Sequence, residues 1–524
     1  MTEAIQLVWF KRDLRLEDHA PLAQAARAGT ALPLFVIEPE LLYAPDFDRL
    51  HYEFLSDALL ELRSGLASLG QPLVVRLGDI TTVFGQLTRD FTIAALWSHA
   101  EIGNALARTR DERVRAWTRE RAIPWYELPQ NGVFRGPIRR DGWRGMWIER
   151  MSLPVAPMPH RLSALPGLDG GNIPLATELG LYPNAPAVRG RQGVARGGES
   201  RAWNLLDSFL GERGANYPRA LANPTTAAHA SSRLSPYLAW GCISMRTVFQ
   251  RTADARQTLE QCDRVSALGV PFAAGALESF SVRLKTRCEA MQTLECTPEI
   301  EARCLDTACE GLRAEERSGF YEAWSTGRTG YPMVDACMRA LQANGWLHYR
   351  GRALLASFAM NQLWIDWRQL RDFLARQFID YEPGVHFMEL QSLGGVAGRR
   401  TLRIYDAVRE GHQLDPDGDF IRQWLPELAG LPHQVVHEPW NMTGTQQSVT
   451  GCRLGRDYPL PVVEQAEALA QARARMKELN LLAARSAARS TTEEAGLQQE
   501  FSWQAPASQP VEAPEASRRR SGSP

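Results

Sequence analysis

Hydroxyl side chains cluster just ahead of a helical stretch in the second half of the chain. The cluster is formed by Ser231, Ser232 and Ser235, with Arg233 and Leu234 between them, and Tyr217 lies a short distance upstream. Hydroxyls beside free backbone N–H groups at the start of a helix bind phosphate oxygens, and the helix dipole favours their negative charge. The segment therefore fits a bound diphosphate, and a simple helix N-cap is the alternative that the same residues allow.

A charged loop near the N-terminus is a second place where a ligand is expected. Residues 11–15 read KRDLR and follow the apolar run at 7–10. Further short apolar runs at 32–37, 73–77 and 93–97 alternate with segments of helical period such as 52–69. This alternation predicts βαβ units in a doubly wound parallel sheet. Ligands of such sheets bind at the carboxyl ends of the strands, so the charged loop is expected to face a site.

The rest of the chain is predicted to be helical after a long connection. Residues 132–199 are rich in glycine, proline and alanine, whereas apolar residues recur with helical spacing from about 200 onward, for example at 333–341 and 353–374. A last helix is predicted at 465–486, followed by a tail too polar to order itself. We expect an α/β domain at 1–131, a connection at 132–199, an all-α domain at 200–464, and a C-terminal helix and tail at 465–524.

The composition of the chain limits which partners it can bind and in which compartment it is expected. The 524 residues carry a net charge of −1, so a nucleic-acid partner would need a local basic groove. None of the 8 cysteines forms a Cys-x-x-Cys pair, which favours reduced thiols in the cytoplasm and predicts no metal site. No run approaches the ~18 consecutive apolar residues of a membrane helix. We expect a cytoplasmic monomer without a membrane segment.

Four groups of motifs, in order along the chain, resemble the photolyase/cryptochrome family. They are VWFKRDLRL at 8–16, SSRLSPYLAWG at 231–241, TGYPMVD at 329–335 with GWLH at 345–348, and IDYE at 379–382 with GDFIRQWLPEL at 418–428. The first string alone is highly specific. Together the groups span most of residues 7–430. The chain is therefore identified as an atypical bacterial-type member of that family.

The resemblance implies an N-terminal α/β antenna domain and a helical domain that binds FAD. Tyr217 and residues 231–235 would then wrap the FAD diphosphate, and an ion pair between Arg352 and Asp380 would lie against the isoalloxazine ring. Such a pair places positive charge near the reduced ring and tunes its redox state. The remaining expected cofactor residues are Arg287, Tyr381 and Glu382. A second, light-harvesting pterin or flavin is expected in the α/β domain, unless that site is empty.

At the positions where members of the family bind the damaged bases, this chain has other residues. Arg283 stands where the enzymes that repair cyclobutane dimers have glutamate, and Thr286 stands where they have tryptophan. Tyr349 and Ala353 replace the asparagine and methionine of those enzymes, or the two histidines of the (6-4) enzymes. Neither lesion pocket of the family is therefore expected.

Two further positions bear on the chemistry of the flavin. His386 stands where photolyases have an asparagine beside flavin N5. It is predicted to donate a hydrogen bond to N5, to titrate near neutral pH, or to be a core histidine. Trp367 matches the middle member of the family's electron-conducting tryptophans. The other two positions fall near 388–390 and at Ala314, so that path looks broken, and Trp364 and Trp424 are either substitutes or core aromatics.

UV-damaged DNA is the expected partner. The predicted contacts are Arg283, Lys285, Tyr349, Arg399 and Arg400, and a solvated charged face is the alternative. The leading hypothesis is a blue-light-dependent photolyase that repairs pyrimidine photoproducts by electron transfer from reduced FAD. The alternatives are a cryptochrome-type photoreceptor without repair and a flavin- or nucleotide-binding structural protein.

Overall fold

The N-terminal part of the computed structural model is a five-stranded parallel sheet. Residues 4–490 are described except 137, 139, 183–192, 262–271, 274, 316–317 and 399–402. The strands are β1 (Ala4–Phe10), β2 (Thr30–Ile37), β3 (Val74–Leu77), β4 (Thr92–His99) and β5 (Trp125–Leu128). Their order is β3-β2-β1-β4-β5, and every pair is parallel. The predicted doubly wound sheet is confirmed, and β5 is a strand that the sequence analysis did not identify.

Helices cover both faces of this sheet because the strand residues that point to either face are apolar. They are α1 (Ala20–Ala28), α2 (Pro39–Leu42), α3 (Arg49–Ser68), α4 (Ile80–Asp90) and α5 (Ala105–Glu120). Val8 and Phe10 of β1 point to the core shared with α1 and α3, whereas Leu7 and Trp9 point to the core shared with α4 and α5. The alternation follows from the two-residue period of a strand.

The connection at 132–199 contains a helix that its composition conceals. Helix α6 (Arg140–Ser152) buries Trp143, Trp147 and Met151, which follow one another at intervals of four residues. Trp147 packs edge-on against Phe249. Two glycines within the helix, with proline and glycine around it, hid this periodic stripe in the sequence.

The second half of the chain is helical, as predicted. Its first helices are α7 (Glu199–Gly211), α8 (Tyr217–Ala220), α9 (Pro224–Ala230), α10 (Ser235–Ala239), α11 (Met245–Gln261), α12 (Ala276–Cys296), α13 (Ser318–Ser325) and α14 (Pro332–Asn344). Then come α15 (Tyr349–Ser357), α16 (Trp367–Gln377), α17 (Pro383–Gly394), α18 (Ala407–Leu414), α19 (Asp419–Trp424), α20 (His433–Val436), α21 (Gly444–Thr450) and α22 (Gln465–Ser490). Helices α14 to α16, α18 and α19 share one apolar core.

The segment 353–374, where apolar residues recur with helical spacing, is helical but is divided between α15 and α16. A π-helical turn at Phe358–Gln362 follows α15, and Trp364 then adopts a left-handed backbone with φ of +60°. The carboxylate of Asp366 accepts the backbone N–H of Arg368 and starts α16. Apolar residues continue across the break, so periodicity alone could not reveal it.

A buried hydrogen-bonded group closes the carboxyl ends of β1 and β4. One carboxylate oxygen of Asp13 lies 3.0 Å from Nε2 of His19 and 2.8 Å from Nδ1 of His99. The backbone N–H of Leu22 donates to Nδ1 of His19, so the proton of that neutral ring is on Nε2 and points at Asp13. Although these three groups have the spacing of metal ligands, the tautomer indicates a structural hydrogen-bond network.

The charged loop after β1 fastens the α/β sheet to the helical half. The backbone N–H of Leu14 donates to the carbonyl of Trp240, and the guanidinium of Arg15 donates to the carbonyl of Gly241. Gly241 has φ of +66°, and a Cβ atom there would lie 2.2 Å from the carbonyl oxygen of Arg12. Glycine is therefore required where the two parts meet.

The last described element is α22, which extends the helix predicted at 465–486 to Ser490. The predicted polar tail after it lies outside the described residues. Among the residues that are described, no helix is both long enough and apolar enough to cross a membrane.

Candidate functional site

Asp380 is the centre of the candidate site in the helical half. Both of its carboxylate oxygens accept from the Arg352 guanidinium, with Nη1 to Oδ1 at 3.0 Å and Nη2 to Oδ2 at 2.7 Å. Burial alone would raise the pKa of Asp380, but Arg352 and a hydrogen bond from the Ser235 hydroxyl hold it below its usual value. The carboxylate is therefore ionised and fixed in direction. It joins the loop before α17 to α15 and α10.

Residues 231–235 lie beside this pair. Arg233 has a left-handed backbone with φ of +58°, and its guanidinium lies 3.8 Å from the ring centre of Trp346. Burial lowers the pKa of Arg233 to about 10, although the attraction of Asp380 opposes the shift. Arg233 and Ser235 thus share Asp380 as a neighbour, which brings the hydroxyl-rich run to the Arg352–Asp380 pair.

The other residues of the 231–235 segment differ in burial and hydrogen bonding. The Ser231 hydroxyl is buried and has no hydrogen-bond partner among the described atoms. Ser232 accepts the backbone N–H of Leu234 at 3.4 Å, and Leu234 is fully buried in the core. Since buried hydroxyls normally have a partner, the unpaired Ser231 oxygen indicates room for a polar ligand group.

Tyr217, on α8, is held by aromatic neighbours rather than by hydrogen bonds. Its ring packs edge-on against Phe209 and Phe280, with centroids 5.4 and 6.0 Å apart. Burial raises the pKa of Tyr217, and nearby Arg283 opposes the shift. The tyrosine is therefore neutral and placed next to α12.

The loop at 380–382, between α16 and α17, sends neighbouring side chains to opposite sides. Glu382 pairs with Arg287 of α12 at 2.6 Å, and Nε of that arginine is buried without a partner among the described atoms. Tyr381 points instead to the α/β domain, where its hydroxyl donates to Asp46 at 2.8 Å. The side chain of Tyr381 is therefore directed away from Asp380, and its predicted part in the cofactor site stays a prediction.

His386 is packed as a core histidine. Its Nε2 donates to the backbone carbonyl of Arg371 at 2.8 Å, and its ring meets Tyr381 edge-on at 5.2 Å. Burial lowers the pKa of His386 to about 4. The expectation of a histidine that titrates near neutral pH is wrong, since the ring is desolvated and its N–H is used by α16.

The tryptophan positions fit the broken path that the sequence suggested. Trp367 is fully buried at the start of α16, and Met388 and Leu390 of α17 are buried aliphatic residues. Trp364 lies between the guanidinium groups of Arg313 and Arg475, each 4.4 Å from a ring centre. Arg368 likewise lies 4.9 Å from the ring centre of Trp367, so neighbouring cations do not distinguish the two tryptophans, and Trp364 as a substitute stays a prediction.

The residues expected to contact DNA are only partly brought together. The guanidinium of Arg283 on α12 lies 5.5 Å from the ring centre of Tyr349 on α15. Lys285 lies roughly 200° around α12 from Arg283 and so faces another direction. Arg399 and Arg400 lie outside the described residues. Of the α12 cations expected to contact DNA, only Arg283 therefore lies at Tyr349. Arg287 of the same helix is paired with Glu382.

Sequence reasoning missed one acidic residue of this region, Glu389. It is partly buried on α17, and its charge interacts with Arg352, Asp380 and Arg283. Burial raises the pKa of Glu389, with Arg352 opposing. The signal that would have identified it is a single acidic residue within an otherwise apolar helix.

A second site lies in the α/β domain. A cavity of about 120 Å³ opens at the carboxyl ends of β1 and β2 and reaches Trp240 and Tyr381 of the helical half. Lys11 and Arg12 line it, so the expectation that the charged loop faces a ligand site fits the structure. Arg15 does not take part, since its guanidinium donates to the backbone carbonyls of Glu17, Asp18 and Gly241.

The charges of this cavity are already compensated. Lys11 pairs with Asp111 at 3.1 Å, and Arg110 pairs with Glu101 at 2.7 Å and Asp111 at 2.8 Å. Burial raises the pKa of Glu38 to about 7 despite the attraction of Arg110. The exception is Arg12, which donates to the carbonyl of Tyr381 and whose Nε is buried without a partner among the described atoms. The wall therefore offers flat aromatic surfaces, hydrogen bonds and one arginine without a carboxylate partner.

The packing of His386 predicts a pH-dependent stability. In the unfolded chain a histidine gains a proton near pH 6.5, whereas His386 does so near pH 4, so its contribution to stability is lost as the pH falls below 6.5. The free energy of unfolding should fall between pH 7.5 and pH 5.5 by about 1 kcal/mol less in His386→Gln than in the wild type. Urea unfolding at both pH values measures it. His433→Gln, at an exposed position, should keep the wild-type slope, and an equal slope in His386→Gln would contradict the assignment.

Two family models and several known proteins are similar to this chain. Residues 6–137 match a family model described as DNA photolyase, and residues 280–478 match one described as the FAD binding domain of DNA photolyase. A cryptochrome DASH of Gloeobacter violaceus is 30% identical over 493 residues, covering 88% of this chain and 94% of that protein. A deoxyribodipyrimidine photo-lyase of Streptomyces griseus is 30% identical over 493 residues, covering 89% and 98%.

A solved structure extends the likeness to the fold. A bacterial class III photolyase of Agrobacterium tumefaciens aligns with a TM-score of 0.78 at 24% identity, covering 92% of this chain and 98% of that chain. With a parallel α/β sheet, an Arg352–Asp380 pair beside residues 231–235 and relatives that span nearly its whole length, the chain belongs to the photolyase/cryptochrome family, and its helical half carries an FAD-binding domain.

Proposed function

We propose that this protein is a blue-light-dependent DNA photolyase that repairs UV pyrimidine photoproducts with reduced FAD. The observation that carries the proposal is the buried, bidentate Arg352–Asp380 pair beside Arg233 and Ser235. Reduced FAD, when bound, supplies the electron that splits a photoproduct under blue light. The positive charge of Arg352 would stabilise a negative charge on the ring.

The residues of this region fit FAD. Two buried polar atoms lack partners among the described residues, the Ser231 hydroxyl and Nε of Arg287, and both suit a polar ligand. Asp380 and Arg352 would hold the isoalloxazine ring, and Tyr217 with residues 231–235 would hold the diphosphate. Arg287 would act with Glu382 at the edge of the site. Trp367 would take part in electron delivery to the flavin.

The proposed partner is UV-damaged DNA, bound by a single chain. Arg283 and Tyr349 form a flat cationic and aromatic surface that suits an unstacked base. Arg399 and Arg400, beyond the described ranges, are proposed to contact phosphates. The proposed state is a monomer. The described cysteines form no disulfides, which supports a reducing compartment such as the cytoplasm.

A cryptochrome-type photoreceptor is the second candidate. Thr286 and Ala353 leave out the stacking and acid groups of the familiar lesion pockets, which favours signalling without repair. Under that candidate, light would change the protease sensitivity of α22 and of the chain that follows it. Repair of a lesion would decide against it.

A repair assay separates the two candidates. Purified protein with its flavin reduced is illuminated with oligonucleotides that carry a cyclobutane dimer or a (6-4) photoproduct. We expect one of the two lesions to disappear under blue light and to persist in the dark, because electron transfer requires the excited flavin. If both lesions survive illumination, the repair function is refuted.

We also propose that the α/β cavity holds a second, light-harvesting chromophore. Its lining favours a flat pterin or flavin ring that hydrogen-bonds with Glu38, Glu101 and Arg12.

Chromophores released by denaturing the protein test this. We expect a second chromophore in the wild type and its loss in Ala107→Leu, which fills the cavity, with FAD retained in both. A wild-type extract with FAD alone, from protein purified without loss of small molecules, would contradict the proposal.

A further inference from the structure

Arg213 joins helix α7 to the start of the hydroxyl-rich segment. It is half-buried in the turn between α7 and α8. Its Nε donates to the Ser208 hydroxyl and its Nη2 to the Leu205 carbonyl, both of α7 and both at 2.8 Å. Three further hydrogen bonds go to carbonyls at 229–232. All of these acceptors are neutral oxygens, so the hydrogen bonds leave the charge of the guanidinium uncompensated, and burial lowers its pKa.

The three carbonyls belong to the end of α9 and to the residues that follow it. Nη1 of the guanidinium donates to the carbonyl of His229, at 3.0 Å, and to that of Ser231. Nη2 donates to the carbonyl of Ser232 at 3.4 Å. The last carbonyls of a helix have no partner within the helix, and α9 ends at Ala230. The guanidinium therefore satisfies these carbonyls and fixes the direction of the backbone that carries them.

A carbonyl that is held on one side turns the N–H group of the same peptide unit to the opposite side. In a planar trans peptide, the C=O of one residue and the N–H of the next point in opposite directions. Because Arg213 holds the carbonyls of Ser231 and Ser232, the N–H groups of Ser232 and Arg233 are directed away from the guanidinium. Neither N–H has an acceptor among the described residues. Both are therefore able to donate to a ligand.

The backbone turn at Arg233 makes these donors converge. Arg233 is left-handed with φ of +58°, and Leu234 after it is right-handed with φ of −83° and ψ of −10°. Consecutive residues of opposite hand arrange their N–H groups around one concave surface, which binds anions. The Ser231 hydroxyl just before this turn is buried without a partner among the described atoms. Backbone and side chain together indicate an anionic group at this turn.

We propose that Arg213 is a positioning residue for the diphosphate of FAD. Its guanidinium holds the carbonyls at 229–232 so that the N–H groups of Ser232 and Arg233 face the phosphates, and it acts through the backbone rather than on the phosphates. The guanidinium suits this role because it presents its donors in a rigid plane, whereas a lysine ammonium is a compact point charge. The inference rests on the proposed binding of FAD at residues 231–235, and not on repair.

Dissociation of FAD from the holoprotein tests this. The fluorescence of released flavin after dilution measures the rate. Arg213→Lys keeps the charge but cannot bridge α7 and the three carbonyls, so FAD should leave roughly tenfold faster than from the wild type. Arg219→Lys, at an exposed position of α8, is the matched control and should keep the wild-type rate.

Phosphorus NMR of the bound FAD adds a readout that a general loss of stability would not move. The two phosphorus resonances should shift in Arg213→Lys, because the backbone donors around them are no longer held in place. The visible absorption and the midpoint potential of the flavin should stay as in the wild type, because the Arg352–Asp380 pair is unchanged. In Arg213→Ala, millimolar guanidinium should restore the wild-type dissociation rate, and sodium at equal ionic strength should not.

The outcomes separate this inference from the proposed function. If Arg213→Lys keeps the wild-type dissociation rate and phosphorus resonances, the inference is overturned, and repair is judged by its own assay. If Arg213→Ala loses FAD, unfolds at lower urea and is not restored by guanidinium, Arg213 serves only the fold and the inference also fails. If the wild type repairs neither lesion while the Arg213 variants behave as expected, the repair function is refuted and the inference stands.

Discussion

The arrangement of the helical half depends on one buried ion pair. The carboxylate of Asp380 is fixed by two hydrogen bonds from Arg352 and one from Ser235, and it attracts Arg233. Removing one partner of such a pair leaves an uncompensated buried charge, which costs about 3–5 kcal/mol. The pair therefore fixes α10, α15 and the loop before α17 relative to one another. Any cofactor placed there meets groups whose direction is already set.

The same loop links the two candidate sites. Asp380 and Glu382 point to the helical site, and Tyr381 between them points to the α/β cavity, where it bonds Asp46. The carbonyl of Tyr381 also accepts from Arg12 of the charged loop after β1. The loop at 380–382 therefore contributes side chains to both candidate sites.

Much of this architecture was accessible from the sequence, because it is encoded locally. Apolar runs alternating with helical segments predicted the parallel sheet, and the order of the motifs predicted the helical FAD-binding half. The break at Trp364 and helix α6 were missed, since a left-handed residue and a pair of tryptophans among glycines leave weak local signals. A local sequence pattern predicts whether a segment is a helix or a strand better than it predicts where that element begins and ends.

Side-chain direction was the part that sequence could not supply. His386 occupies an alignment position beside the flavin, yet its ring turns to the carbonyl of Arg371. Tyr381 belongs to a motif of the cofactor site, yet its side chain serves the other cavity. Glu389 was overlooked because the charges with which it interacts, on Arg352, Asp380 and Arg283, are distant in sequence and come near it only in the fold.

The central claim is that Arg352 and Asp380 hold and tune FAD in the helical half. The reduction midpoint potential of the bound flavin, measured in the wild type and in Asp380→Asn, tests it most directly. The asparagine removes the negative charge that compensates Arg352, so the reduced, anionic flavin should be favoured and the potential should rise. A wild type that binds no FAD, or a potential unchanged by the substitution, would contradict the claim.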